Sequence, residues 1–224
     1  MADTGTSSAT ETARGRVERV EPTKAQRAVA RRVAESKATA PHLYLEAEVR
    51  TPTAAPESVV RACALALREF PRLNGAYRDG AFETYSRINV GFAVEGRDAP
   101  VVVTVFDADG KAAAEIGVEL AELAERAAAG ELTSPELAGG TFTVASASFG
   151  SIRSFAAVLN QGQAATLAFG PVAERALVRD GEVVAGPALT ATLSCDGRMI
   201  GGDEAARFLD RVRALLEDAG GDEA

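Results

Sequence analysis

A chain of 224 residues, 46% hydrophobic and 25% charged, holds enough apolar material for one sizeable globular domain or two small ones. Its net charge of −8 argues against nucleic acid as the main partner, because a phosphate-binding face usually makes a domain basic. One histidine and two cysteines, with no CxxC pair, exclude a disulfide framework and make a zinc site untenable. No apolar run approaches the roughly eighteen residues that a spanning helix needs. The polar N-terminus also lacks the apolar centre of a signal peptide, so the expectation is a cytoplasmic protein with no membrane contact. Lysine occurs only at Lys24, Lys37 and Lys111 while arginine is plentiful. A local basic patch for an anionic ligand, such as a nucleotide-bearing thiol cofactor, therefore stays open.

Residues 1–16 are small and polar and are expected to be disordered. A single domain is expected over 17–218, followed by an acidic tail at 219–224. The first helix is expected after Thr23, a good N-cap, with Ala28, Val29 and Val33 at helical spacing and a stop before Pro41. HLYLEAEVR alternates apolar and polar residues and reads as a strand. PESVVRACALALREF reads as a second helix, with Cys63 on its apolar face. A turn at Asp79-Gly80 joins two short strands. INVGFAVE and PVVVTVFDA are β-branched runs suited to a sheet covered on both faces. A long helix ends near Gly130. AGGTFTVASASFG reads as a strand running into a turn. Further strands follow, with turns expected at Gly170-Pro171, Asp180-Gly181 and Gly186-Pro187. A closing helix carries Phe208, Leu209, Val212, Leu215 and Leu216 on one stripe. The pattern predicts one α/β domain built on a mixed sheet flanked by helices.

Five landmarks in chain order carry a resemblance: QRAVARRVAESKATAPHLYLEAEV, ALALREFPRLNGAY, INVGFAVE with the strand and helix after it, GGTFTVASASFG, and LTATLSCDGRMIGGDEAARFLDRVRALLE. Together they span about residues 17–217 and resemble the catalytic domain of the 2-oxoacid dehydrogenase acyltransferases (the E2 cores), which share the chloramphenicol-acetyltransferase-like fold. The resemblance implies a homotrimer with its active sites at subunit interfaces. Coenzyme A and an acyl acceptor would enter a channel from opposite ends. A histidine in a D-H-R-x-x-D-G motif would act as general base. The motif's second aspartate would hold an arginine of the first helix. A serine from the neighbouring subunit's TFTxSNxG motif would hydrogen-bond the oxyanion. No lipoyl or subunit-binding domain pattern precedes the core, so the chain is expected to work without its own swinging arm.

This sequence departs from the family pattern at each of those places. Asp196, Arg198 and Gly202 match the motif, but Gly197 stands at the histidine position and Gly201 at the second aspartate. Thr141, Phe142 and Thr143 match, but Ala145 stands for the serine and Ser146 for the asparagine, and the turn is one residue shorter. Arg27 matches the first-helix arginine without its expected carboxylate. A general base contributes ~10²–10⁴-fold in rate and one oxyanion donor ~10²–10³-fold, and because the two act as a unit their losses need not multiply. The family's usual reaction is therefore expected to be roughly four orders of magnitude slower, or absent.

Each remaining candidate has a plain structural reading beside a functional one. His42 reads first as a structural histidine at a helix–strand junction, and second as a stand-in base. Cys195 reads as a buried thiol rather than a nucleophile. Asp196 reads as a brace of its turn through an arginine. Ser146 and Ser148 read as turn residues that the deletion could rotate toward the channel, although a serine without a base is a poor nucleophile. Arg27 reads either as re-paired with Asp203 or Glu204, or as a free cation for a carboxylate or phosphate. The favoured reading is a non-catalytic trimeric scaffold, or a binder of a coenzyme A thioester or another small metabolite. The alternative is a repurposed enzyme of specialised metabolism acting on a coenzyme A- or carrier-bound intermediate. Candidate partners are a second copy, an active E2 homologue in a mixed trimer, and an acyl carrier protein.

Overall fold

The computed structural model describes residues 8–147, 151–179 and 181–221. Eleven strands are described: β1 (Ser8–Thr12), β2 (Gly15–Arg19), β3 (His42–Val49), β4 (Gly75–Arg78), β5 (Ala81–Thr84), β6 (Val90–Val94), β7 (Val101–Val105), β8 (Phe142–Ser146), β9 (Ala165–Phe169), β10 (Ala173–Arg179) and β11 (Glu182–Asp196). The helices are α1 (Lys24–Thr39), α2 (Pro56–Glu69), α3 (Ala113–Ala129), α4 (Ser134–Ala138) and α5 (Gly202–Gly221).

Seven strands form the main sheet in the order β10-β11-β9-β8-β6-β7, with β3 on the other edge of β11. The sheet is mixed: β8 runs parallel to β6 and β9, and every other pair is antiparallel. Alternation along the strands divides its faces chemically. Leu189, Ala191, Leu193 and Cys195 of β11 point into the core with Leu167, Phe142 and Val144. Helices α2, α3 and α5 cover that face. Thr190, Thr192, Ser194 and Asp196 share the opposite face with Glu46 and Tyr44 of β3, Thr166 of β9 and Thr143 of β8. The irregular segment 151–163 and the end of α1 lie over it, held by bonds from Ser154 to Glu46, Asn160 to Thr143 and Ser36 to the Leu159 carbonyl.

Local chemistry explains the element ends. Thr23 and Gln26 form a capping box on α1: the Thr23 hydroxyl accepts from Gln26 N–H at 3.2 Å, and Gln26 Oε1 accepts from Thr23 N–H at 2.9 Å. The helix stops at Thr39, ahead of Pro41. Pro56 opens α2, where a missing N–H does no harm. Gly130 closes α3 at φ 74°, the left-handed geometry of a helix C-terminus. The FPRLN stretch places Asn74 in a buried network: its Nδ2 donates to the carbonyls of Tyr85 and Arg87, both at 2.9 Å, and its Oδ1 accepts from Thr141 at 2.6 Å. That landmark therefore ties the β4–β5 hairpin to β8.

Three expectations require correction. Residues 8–16 are not disordered, since β1 and β2 pair as an antiparallel hairpin with Ser8 opposite Arg19. The ladder is a local pairing across a short turn at positive-φ Gly15, and every side chain of β2 is exposed. Residues 1–7 lie outside the described residues. Gly186-Pro187 is not a turn but lies within β11, paired with Arg175 and Glu174. Proline is tolerated there because β3 pairs with β11 only from Leu189 onward, so one edge of that half is open. At the C-terminus, α5 runs to Gly221 and takes in the start of the expected acidic tail, whose residues 222–224 are not described.

The short helix α4 was not legible from periodicity, and one carboxylate holds it. Glu136 accepts from Arg126 at 2.6 and 2.8 Å and from the Thr133 N–H at 2.7 Å. The arginine first, and then the Thr133 donors, hold its carboxyl down to about 2. A depressed acid stabilises the fold above its ordinary value and loses that contribution as pH falls through its folded value. The α3–α4 clip should therefore loosen progressively from about pH 4.5 to about pH 2. Protection of the Gly139 amide, whose N–H bonds the Pro135 carbonyl, measured against its intrinsic exchange rate at each pH, should fall over that window in the native chain and already at pH 7 in Glu136→Gln.

Candidate functional site

A cleft of about 420 Å³ opens where the end of α1, the β4–β5 hairpin, segment 159–163 and the end of β11 meet. Its floor is the turn after β11. Arg198 donates from its backbone N–H to Asp196 Oδ1 at 3.0 Å, from Nε at 2.9 Å, and from Nη2 to Oδ2 at 2.6 Å. The guanidinium also lies 4.4 Å from the Tyr77 ring centroid. Asp196 is 3% exposed, and its carbonyl accepts from Met199 and Ile200. A buried carboxylate held by a two-point arginine contact braces its turn. This agrees with the structural reading of Asp196.

Gly197 follows directly. Its N–H donates to the Pro41 carbonyl at 2.8 Å, and a Cβ built there would lie 2.9 Å from the same oxygen. The backbone of the α1–β3 junction thus sits against the position where the family pattern carries histidine. Gly201 and Gly202 face open space, with nothing within 4 Å of a built Cβ. Ala145 is 8% exposed and shares the Thr143 face of β8. Ser146 is half-buried and takes the alternate face, that of Phe142 and Val144, opposite Phe169. Register therefore turns Ser146 away from the polar face. Ser148 lies outside the described residues.

The other candidates scatter. His42 is half-buried: Nδ1 donates to the Ala40 carbonyl at 2.7 Å, and Nε2 accepts from Leu159 N–H at 3.2 Å. Nδ1 fixes the ring to the α1–β3 junction and Nε2 ties segment 151–163 to it, which is the structural reading. Arg27 does not pair with Asp203 or Glu204. Its Nη1 donates to the Pro22 carbonyl at 2.6 Å and lies 3.9 Å from Glu21. Asp203 instead pairs with Arg207, and Glu204 with Arg72. Arg27 stands nine residues before Ser36 on the same helix, roughly 13 Å along its axis, and does not line the cleft.

Cys195 is fully buried, and burial, helped by the nearby charges of Glu204 and Asp196, pushes its thiol up to about 12. Burial alone raises Cys63 further still. Neither can supply thiolate at neutral pH. A thiol reagent such as Ellman's should leave both cysteines unmodified in the native chain at pH 8 and titrate both after denaturation.

Sequence reading missed most of the cleft wall. Ser36, Tyr77, Asp79, Asn160, Gln161 and Gln163 line it. Asp79 sits at φ 51° in the β4–β5 turn, followed by Gly80 at φ 82°, and the Asp-Gly pair did announce that turn. The amides of segment 159–163 had no such signal, because their placement depends on where an irregular segment crosses the sheet.

Residues 53–221 match the family model for the catalytic domain of the 2-oxoacid dehydrogenases acyltransferase. The chain belongs to that family. It is 34% identical over 214 residues to the dihydrolipoyllysine-residue acetyltransferase component of the pyruvate dehydrogenase complex of Bacillus subtilis, matching 86% of this chain and 48% of that relative. The chain thus spans about half the length of the curated relatives it matches. Its fold matches a probable dihydrolipoamide acetyltransferase of Listeria monocytogenes with TM-score 0.85 and 27% identity, covering 93% of this chain and 97% of the other. It also matches the dihydrolipoamide acetyltransferase of Azotobacter vinelandii with TM-score 0.86 and 26% identity, covering 92% and 93%. The acyltransferase fold read from the five landmarks holds, with its mixed sheet and flanking helices. No helix among the described residues is long and apolar enough to cross a membrane.

Proposed function

We propose that this acyltransferase-family chain is a non-catalytic trimer in the cytoplasm that binds an acyl thioester or a related small metabolite at the cleft beside Asp196 and Arg198. The observation that carries this reading is the pair Gly197 and Pro41. A residue without a side chain cannot take a proton, and the Pro41 carbonyl oxygen lies 2.9 Å from where a Cβ would sit. Ala145 and the open space at Gly201 support it, because an alanine donates no hydrogen bond to an oxyanion and a glycine orients no arginine. A histidine and an asparagine examined for their catalytic role in the Azotobacter enzyme are four residues apart. Gly197 and Gly201 have the same spacing. The side-chain NH2 groups of Asn160 and Gln161 bond Thr143 and Glu35, which leaves their amide oxygens at the cleft as acceptors for the N–H groups of a pantetheine-type arm.

The trimer has its own support. Helix α1 has only Ser36 buried, and Val29 and Val33 are each 42% exposed. Lys24, Arg27, Arg31, Arg32 and Lys37 make this arm basic, whereas the chain as a whole is acidic. A basic arm docking on the acidic body of the next copy is a head-to-tail contact, which closes as a ring when the rotation allows. Exposed charge complementarity of this kind is screened by salt, so its share of the contact weakens as ionic strength rises. Acetyl transfer from acetyl-CoA to dihydrolipoamide should run roughly four orders of magnitude below that of a histidine-bearing relative assayed in parallel. Transfer at the relative's rate would sink the proposal. Light scattering should give three copies of the chain.

A repurposed enzyme stays in view for one reason: the cleft is open and carries an exposed carboxylate, Asp79, at its rim. Neither Arg27 nor His42 supports it, since the first lies off the cleft and the second has both nitrogens engaged. Loss of turnover of a carrier-bound intermediate in Asp79→Asn, with thioester binding retained, would favour that second reading.

A further inference from the structure

A second cleft, of about 360 Å³, lies on the same polar sheet face, lined by Glu46, Glu48, Arg153, Ser154, Arg175 and Thr190. Thr190 and Asp196 are six residues apart on β11, which separates the two clefts by roughly 20 Å of strand. The register places Glu48 opposite Thr190 and Glu46 opposite Thr192, so both carboxylates of β3 stand on this face. Gly170 brings in the far wall. Its N–H donates to the Thr190 carbonyl at 2.9 Å, and a Cβ there would run into the Arg153 carbonyl. Only glycine lets segment 151–163 cross so close, and the crossing delivers Arg153 and Ser154 to the cleft.

Arg175 is the unusual group. Its side chain is 9% exposed, yet its Nη1 holds Thr190 Oγ1 at 2.8 Å and reaches Glu48 only at 3.4 Å. Its Nε is buried with no partner among the described residues. Glu46 accepts from Ser154 at 3.0 Å, and Arg153 is exposed with no pairing among the described residues. A buried guanidinium satisfied on one nitrogen can accommodate a further oxyanion acceptor.

We propose that this cleft binds a small zwitterion of the amino-acid class. The ligand's carboxylate pairs with Arg175 and Arg153, and its ammonium pairs with Glu46 and Glu48. The four formal charges cancel, so an anion alone meets two carboxylates and a cation alone meets two guanidinium groups. A ligand carrying both signs is the one that each wall attracts. The volume falls within the roughly 300–1,000 Å³ of small-molecule sites. Nothing in this assignment depends on whether the other cleft turns over.

Calorimetric titration of the full chain with L-alanine, propionate and ethylamine tests it. L-alanine should give saturable binding, and propionate and ethylamine should bind at least about tenfold more weakly, each lacking one charge-assisted contact. Arg153→Ala and Glu46→Gln change exposed side chains and should fold as the parent does. Each should weaken L-alanine by about tenfold. The assignment fails if L-alanine does not saturate, if either single-charge probe binds as tightly, or if both variants bind L-alanine like the parent.

Discussion

Gly197→His alone should leave acetyl transfer within about tenfold of the parent's background, whereas the triple change Gly197→His, Gly201→Asp, Ala145→Ser should raise it by roughly 10² or more. Two physical facts set this order. The first is steric: a Cβ at 197 comes to 2.9 Å from the Pro41 carbonyl, closer than such atoms approach, and Gly197 N–H already holds that oxygen at 2.8 Å. Both partners are backbone, so the α1–β3 junction must recoil before a histidine can take a working rotamer. The second is chemical. A base with no oxyanion donor and no orienting carboxylate does a fraction of its work, because these groups act together. Gly201 has open space, so the aspartate enters freely, and Ala145 already shares the Thr143 face of β8. Steady-state thiol-exchange rates across the parent, single and triple variants decide the matter. Full recovery in the single variant would show that only the proton acceptor was missing and that the junction yields at no cost.

Gly170→Ala should destabilise the fold by about 3 kcal/mol, the upper part of the overpacking range, and lower the melting midpoint by roughly 6–12 °C for a domain of this size. The built Cβ meets the Arg153 carbonyl, which is backbone and cannot rotate away. Gly170 itself is tied to Thr190, so segment 151–163 must lift. That segment carries Leu159, which binds Ser36 and His42, and Asn160, which binds Thr143. Lifting it should therefore damage both clefts at once. Gly117→Ala is the control: in the interior of α3 a Cβ meets Glu57 at an ordinary 3.5 Å, and alanine there should be neutral or stabilising by up to about 1 kcal/mol. Differential scanning calorimetry of the two variants separates steric exclusion from the general effect of removing a glycine.

Much of this architecture was readable because local chemistry and tertiary demand agree. Thr23 and Gln26 cap α1 by neighbouring contacts, Asp79-Gly80 supplies the positive φ of a hairpin turn, and the stripe of α5 is apolar because one face packs. Where two levels competed, local reading failed. Gly186-Pro187 looks like a turn, yet the half-open edge of β11 absorbs it. The polar residues 8–16 look unstructured, yet β1 and β2 pair in a ladder although every side chain of β2 is exposed. Arg27 kept its place in the family pattern, but its partners are Glu21 and the Pro22 carbonyl, which no spacing announced.

The residue types at 145, 197 and 201 were set by the sequence alone, and with them the absence of an imidazole, a carboxylate and a hydroxyl at those three positions. Chemistry that a side chain lacks cannot be restored by folding. Tertiary structure alone decided which retained groups meet. It committed both nitrogens of His42, locked Asp196 to Arg198, turned Ser146 to the apolar side of its strand and gathered Glu46, Glu48, Arg153 and Arg175 around one cleft. Those meetings depend on strand register and on where an irregular segment crosses a sheet, and both are settled by contacts between residues more than a hundred positions apart, such as Glu46 with Ser154 and His42 with Leu159.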